Sequence, residues 1–296
     1  MRDFGGDIQG QKVPVEGGGR CIYCGSDGGT DGLRDEHIIP YSLGGNTELL
    51  AASCSACEKI TSYLDGYLAN ATYKHVRVHS ATQSRSGHPD VLPAVVDING
   101  NERAFDLEPE QHPYFLHMPI WHPPGIMCGL PPSPDFGQGR VHLYWYVPPN
   151  FLETIGLGPG DFARIMNRTP PPNFSTFARA IAKVAYCHAI YMLGLGGFRP
   201  LALPGIILGR YPNIPHFVGC DLGDPPPPEP RQILHLIQRT NVTYRRWKLI
   251  TVRVRLFAQS GTAANGMPFY EVVVGAEGRS TFPPRPPPSL PRVIAL

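Results

Sequence analysis

The sequence predicts an α+β protein in which a small zinc-stapled ββα module precedes a larger mixed domain with antiparallel strands and one long helix. Three observations support this class. Two Cys-x-x-Cys pairs lie about thirty residues apart near the N-terminus, a spacing typical of zinc modules. Short alternating runs of apolar and polar residues follow. The stretch 174–193 repeats apolar residues at helical spacing.

We expect five regions along the 296 residues. Residues 1–20 are Gly-rich and polar and should form a flexible leader. Residues 21–68 hold the zinc module, and the polar segment 69–90 should be a linker. Residues 91–282 should fold as an α+β domain of unknown function, and 283–296 form a proline-rich tail.

The two Cys-x-x-Cys pairs supply the predicted zinc ligands, which are Cys21, Cys24, Cys54 and Cys57. Each pair gives two thiolates from one tight turn, and together they complete a tetrahedral structural zinc site. Such a site stabilises a module that is too small to bury a core of its own.

The remaining sequence favours a soluble cytoplasmic protein. The other three cysteines are scattered, and an odd total of seven argues against a disulfide framework. The N-terminus lacks an apolar signal core, and no run of eighteen uncharged apolar residues suggests a membrane span.

Within the module, residues 34–39 should form a short strand and residues 40–45 a turn that uses Gly44 and Gly45. A second short strand then fits before a helix over residues 54–65. Ile60, Leu64 and Tyr67 recur at helical spacing on the face that this helix would bury.

In the larger domain, alternation predicts four strands, over residues 91–96, 103–107, 114–117 and 141–147. The long helix should span 174–193, with Asn173 or Ser175 as its N-cap and Gly194 at its end. Residues 231–238 fit either a short helix or a strand. Residues 248–257 and 269–274 should form an antiparallel pair.

Charge is unevenly distributed, although the formal net charge is only +2. Residues 1–80 hold seven Lys/Arg and ten Asp/Glu, whereas residues 231–256 hold seven Lys/Arg and no acid. This basic segment would supply most of the attraction to phosphates, and we select Arg245, Arg246 and Lys248 as nucleic-acid contacts. The alternative is an ordinary exposed sheet face.

Between the cysteine pairs lies Asp35-Glu36-His37-Ile38-Ile39-Pro40. A carboxylate beside a histidine suits metal-assisted hydrolysis, because imidazole titrates near neutral pH and carboxylate oxygens bind hard cations. The order of Cys-x-x-Cys, Glu-His-Ile-Ile-Pro, Gly-Gly and Cys-x-x-Cys resembles the HNH endonucleases, in particular those whose ββα-metal module holds a four-cysteine zinc. The resemblance ends near Gly66.

The resemblance implies a site with a general base and a cation. His37 occupies the position of the histidine that activates water for attack on a phosphodiester. Glu36 occupies the position of the metal-binding carboxylate, with Asp35 as the alternative. Glu58 follows the fourth cysteine and would be the second ligand of Mg²⁺ or Mn²⁺.

Two positions depart from the family pattern. Leu49 stands where the family commonly has an asparagine, and Asn46 or Glu48 would have to replace it. Glu58 stands where the family has a histidine or asparagine.

The predicted function is a metal-dependent endonuclease acting on DNA. The alternatives are an inactive zinc module that binds nucleic acid or protein, and an unrelated enzyme in the larger domain. Oligomeric state stays open.

Overall fold

The computed structural model describes most of the chain. The ranges described are 11–82, 87–158, 160–223, 225–230, 232–244, 247–261 and 266–278. No helix within these ranges is long and apolar enough to cross a lipid bilayer. The predicted tail 283–296 and the selected residues Arg245 and Arg246 lie outside them.

The N-terminal module contains a three-stranded sheet and a helix. The strands are β1 (Lys12–Pro14), β2 (Leu33–His37) and β3 (Glu48–Cys54), and helix α1 (Ser55–Tyr67) follows directly. β3 lies in the middle, parallel to β1 and antiparallel to β2. The predicted strand and helix are therefore present, with ends displaced by one or two residues. β1 falls within the region expected to be a flexible leader.

Helices are present where a linker was predicted over residues 69–90. A π-helical turn, Leu68–Thr72, continues from α1, and helix α2 (Lys74–His79) follows it. Tyr73 and Val76 are buried, so these residues anchor the segment to the rest of the molecule. The prediction relied on the polar residues of this segment, whereas its few apolar residues decide where it packs.

The larger region adds nine strands and three helices among the described residues. In chain order they are β4 (Leu92–Ile98), β5 (Asn101–Leu107), β6 (Tyr114–Ile120), β7 (Arg140–Tyr146), α3 (Phe151–Thr154), β8 (Ala163–Ile165), α4 (Phe174–Leu193), α5 (Leu203–Ile207), β9 (Val218–Cys220), β10 (Leu236–Tyr244), β11 (Trp247–Arg255) and β12 (Tyr270–Ala276). They form three antiparallel sheets, with strand orders β10-β11-β12-β9, β5-β4-β8 and β6-β7. The α+β class with one long helix is confirmed, as is the predicted antiparallel pair, here β11 and β12.

Helix α4 has the predicted ends. The Asn173 side chain accepts a hydrogen bond from the backbone N–H of Thr176 at 2.9 Å, so Asn173 and not Ser175 is the N-cap. Gly194 ends the helix with a φ of 71°, a conformation that favours glycine. Most residues between them are buried, which makes α4 a central element of the core.

The module and the larger region share one hydrophobic core. α4 packs against α1 on one side and against β11 and β12 on another. The hydroxyl of Tyr186 on α4 donates to the carbonyl of Ile22 at 2.8 Å, and its ring lies 5.9 Å from that of Tyr23. The first cysteine turn is thus packed directly on α4.

Candidate active-site cleft and metal cluster

The four predicted zinc ligands meet in one cluster. The Sγ atoms of Cys21, Cys24, Cys54 and Cys57 all lie within 4.8 Å of one another. Cys21 and Cys24 share a turn closed by a hydrogen bond from Gly25 N–H to the Cys21 carbonyl, 2.9 Å long. The second pair spans the junction of β3 and α1. This cluster is compatible with a structural zinc, and four thiolates would leave that metal no position for water.

One hydrogen bond in the cluster acts in opposite directions on its two partners. The bond from the Cys57 thiol lowers the pKa of Cys21 and raises that of Cys57, so one of the two sulfurs is held as a thiolate. A thiolate is the form that binds zinc. In the part of the chain that the structure describes, no other group of three or more His, Cys, Asp or Glu side chains is as compact.

A separate cleft of about 490 Å³ opens over β2, β3 and α1. It is strongly acidic, and the acids that line it are Asp35, Glu36, Glu48, Glu58 and Asp65. His37 lies among them, and the basic residues on its walls are Lys12 and Arg77. The structure therefore brings the predicted His37, Glu36 and Glu58 to one cleft that does not include the cysteine sulfurs.

His37 pairs with Glu48 across the two strands. The Nε2 atom of His37 lies 3.0 Å from Oε1 of Glu48, and the two residues are partners in the β2–β3 ladder. The His37 side chain is 16% exposed, so it is largely enclosed but reachable from the cleft.

A bulge in β3 sets this pairing. Arg34 pairs with Ser53 and Glu36 pairs with Leu49, so three residues of β3 lie opposite Asp35 alone. Ala51 in this bulge has a φ of 48°, and its N–H donates to Oδ1 of Asp35 at 3.1 Å. The extra residues move Glu48 into line with His37. Glu48 thus stands beside the histidine, whereas Leu49 is buried and Asn46 does not line the cleft.

Glu36 is buried at the floor of the cleft and is already engaged. Its Oε1 lies 3.0 Å from Nζ of Lys183, and its Oε2 accepts a hydrogen bond from the Thr61 hydroxyl at 3.1 Å. Only 5% of Glu36 is exposed. Both carboxylate oxygens therefore have protein partners on α1 and α4.

Lys183 extends this network from the larger region. Its ammonium group also lies 3.0 Å from Oδ2 of Asp65 and donates to the backbone carbonyl of His37 at 2.5 Å. The nearby carboxylates Asp65 and Glu36 outweigh the burial of this lysine and raise its pKa. Burial, opposed by Lys183, raises the pKa of Asp65 to about 6. An ammonium group has three donors, and here all three have acceptors.

The sequence analysis did not predict Lys183 as a site residue. It named Glu48 only as one of two possible replacements for the asparagine that the family commonly has at the position of Leu49. A signal for Lys183 was present, because a lysine between Ala182 and Val184 in an apolar helix must be buried with a partner. The partner itself, 147 residues away in the chain, was not readable from any local pattern.

Glu58 lies on the first turn of α1, at the wall of the cleft. Its Oε2 atom is 3.1 Å from Nη1 of Arg34, and both side chains are partly exposed. An exposed ion pair of this kind contributes little free energy and is readily exchanged for another cation.

The basic segment does not form one uniform surface. Lys248 is exposed and lies 3.4 Å from Glu277. Arg255, in the same segment, is fully buried, and its guanidinium contacts Glu229 at 3.1 Å and the carbonyl of Pro226 at 2.7 Å. Val254 beside it is buried as well, so both faces of β11 are covered at this point and Arg255 serves packing.

Comparison with known proteins gives a family match over the part of the chain that holds the cysteine cluster and the acidic cleft. The family model described as HNH endonuclease matches residues 21–71, which include the cysteine cluster and the acidic residues of the cleft. Neither the curated proteins nor the solved structures gave a match. Residues 21–71 are thus similar to the HNH endonuclease module, and the match does not extend beyond residue 71.

Proposed function

We propose that this protein is a metal-dependent endonuclease that hydrolyses phosphodiester bonds in DNA. One observation supports this most directly. His37 is paired with Glu48 in an open acidic cleft, at 3.0 Å, inside a module that matches the HNH endonuclease family.

His37 would act as the general base. Glu48, with Oε1 3.0 Å from Nε2 of His37, would orient the imidazole ring. The imidazole would take a proton from the water that attacks phosphorus. The hydrogen bond from Lys183 to the His37 carbonyl holds the backbone beneath this ring, so orientation is set from both sides.

The donor atoms of the cleft fit a hard divalent cation such as Mg²⁺ or Mn²⁺. Magnesium is usually held by one or two carboxylates together with substrate phosphate oxygens. Glu48 and Glu58 are partly exposed, and their ion pairs with Lys12 and Arg34 are on the solvent side. We assign the cation to these two carboxylates. Glu36, which the sequence predicted as a ligand, is instead held at the floor of the cleft by Lys183 and Thr61. When bound, the cation would neutralise charge that develops on the phosphate.

Zinc at the four cysteines would have a structural role only. We propose that it fixes the turn at Cys21 and Cys24 against the start of α1, which carries Glu58. The two metals would thus have separate ligands and separate tasks.

A second candidate function is an inactive module that binds nucleic acid. The observation that favours it is the Lys183 ammonium, which already neutralises Glu36, the residue at the family's metal-ligand position. In this case nucleic acid would bind to the module without being cleaved.

Supercoiled-plasmid nicking with Mg²⁺ or Mn²⁺ separates the two functions. The zinc-loaded protein should nick the plasmid, and His37→Ala should lower the rate by about 10²- to 10⁴-fold while it retains zinc. His142→Ala, at a histidine that lines no part of the cleft, is the matched control and should keep the rate. If the zinc-loaded protein cleaves neither the plasmid nor a single-stranded DNA oligonucleotide with either cation, the nuclease proposal is contradicted and the binding module is favoured.

A further inference from the structure

A second cleft lies next to the acidic one. It has a volume of about 410 Å³ and is formed by α2, β4, β6 and residues 165–170. Asn70, on the π-helical turn, lines both clefts. Helix α2 lies between them, since Lys74 and His75 line the second cleft and Arg77 lines the first.

We propose that this second cleft binds a single-stranded segment of nucleic acid adjacent to the phosphodiester that is cut. The inference rests on the proposed nuclease function and names the form of substrate that this function would use. It concerns residues of α2, β6 and the segment after β8, most of which lie outside the HNH match.

The charge of the second cleft is opposite to that of the first. Among the described residues that line it there is no Asp or Glu, whereas Lys74 and Arg168 are both exposed there. No ion pair involves Lys74 in the described part of the chain, and Arg168 is paired with Glu102 outside the cleft. Phosphate groups are the complementary ligands for such a surface.

Flat rings form much of the wall. The imidazoles of His75 and His112 stack in parallel, with centroids 5.3 Å apart. Burial lowers the pKa of both, to about 4 for His75, so these rings are uncharged at physiological pH. Tyr114 and Phe115 line the same cleft and are partly exposed. Basic groups together with aromatic faces are the combination that binds unpaired nucleotides.

The size of the cleft selects single strands. A volume of about 410 Å³ is that of a small-molecule pocket, which encloses a nucleotide and not a duplex. Because Asn70 lines both clefts, a strand whose phosphate lies beside His37 would reach the second cleft by passing this residue and α2.

Fluorescence anisotropy with a labelled single-stranded DNA oligonucleotide tests this binding. The zinc-loaded protein is titrated without Mg²⁺ or Mn²⁺, so the strand stays intact, and the titration is repeated over a series of salt concentrations. Lys74→Ala should reduce the slope of log K against log salt by about 0.7, the value for one phosphate contact to a single strand. Phe115→Ala should raise Kd at least about fivefold, the lower end for loss of one stacked base.

Lys59→Ala is the matched control, because Lys59 is exposed on neighbouring α1 and lines neither cleft. Its salt slope should equal that of the unchanged protein. The proposal is overturned if Lys74→Ala and Phe115→Ala both bind as the unchanged protein does, or if a duplex of the same sequence binds more tightly than the single strand. Plasmid nicking is a separate assay, so loss of the nuclease proposal and loss of this one are distinguishable.

Discussion

Two lysines each bridge two carboxylates of the HNH-type module, and they differ in almost everything except distance. Lys183 lies 3.0 Å from Glu36 and 3.0 Å from Asp65. Lys12 lies 3.0 Å from Glu48 and 3.2 Å from Asp35. The Lys183 side chain is completely buried, whereas that of Lys12 is 65% exposed.

Burial, and not distance, therefore separates the two networks. Water and salt screen the pairs of Lys12, which makes them easy to exchange. The pairs of Lys183 are unscreened, and removal of one partner leaves charges buried without compensation. The acidic residues of the module thus fall into two groups. Glu36 and Asp65 have a buried cation and support the fold, whereas Asp35 and Glu48 have an exposed cation that another cation can replace.

Lys183→Met should produce the largest effect. Loss of the ammonium leaves Glu36 and Asp65 without a cation, and we expect a loss of about 3–5 kcal/mol in the free energy of unfolding. Urea unfolding measures this change. The variant that also carries Glu36→Gln and Asp65→Asn should recover part of the loss. A loss below about 1 kcal/mol would mean that burial does not separate the two lysines.

The second-largest effect should be a pH dependence of stability that comes from Asp65 in the buried network. The pKa of Asp65 is about 6 in the folded protein and 3.8 in a free side chain, so the folded state binds its proton more tightly. Protonated Asp65 therefore stabilises the folded state, by at most about 3 kcal/mol in the free energy of unfolding. This stabilisation is complete below about pH 4 and is lost as the pH rises to about 6.

Asp65→Asn is the reference for this measurement. The difference in unfolding free energy between the two proteins should change between about pH 4 and about pH 6, because zinc-ligand protonation affects both equally. Parallel stability profiles over that interval would rule out a raised pKa at Asp65.

Glu48→Gln should affect activity more than stability. The amide can still contact His37 but carries no charge, so it holds the ring less firmly and binds a cation less well. We expect plasmid nicking to slow by about 10- to 100-fold. Glu153→Gln, at an exposed carboxylate that lines neither cleft, should leave the rate unchanged. An unchanged rate in Glu48→Gln would remove Glu48 from the proposed site.

Lys12→Ala should have the smallest effect. Because this lysine is exposed, we expect no measurable change in the urea midpoint. Removing it frees Glu48 and Asp35, so half-maximal nicking should need a lower concentration of Mg²⁺. A clear loss of stability would show that the solvent-side network also supports the fold.

The features that the sequence predicted well are those set by local physics. Helix α4 was predicted with its exact range, because periodicity, the Asn173 cap and Gly194 all act within a few residues. The cysteine cluster was predicted for a similar reason, since metal-ligand spacing is itself a local pattern.

The features it missed are long-range. The pairing of His37 with Glu48 depends on a bulge at Ala51, and no spacing rule shows which residues of β3 lie opposite Asp35. The engagement of Glu36 depends on Lys183, which belongs to a helix far along the chain. A carboxylate beside a histidine was a sound signal for a cleft, but only packing decides which carboxylate faces it.

The shared core limits how this module could be moved between proteins. A chain cut after residue 71, where the family match ends, would lose α4 and with it the partner of Glu36 and the cover over Ile22. Recombination that transplants residues 21–71 into another protein would therefore have to bring a lysine-bearing helix or replace Glu36. The boundary of the family match is therefore not a boundary at which this fold can be cut without loss of buried contacts.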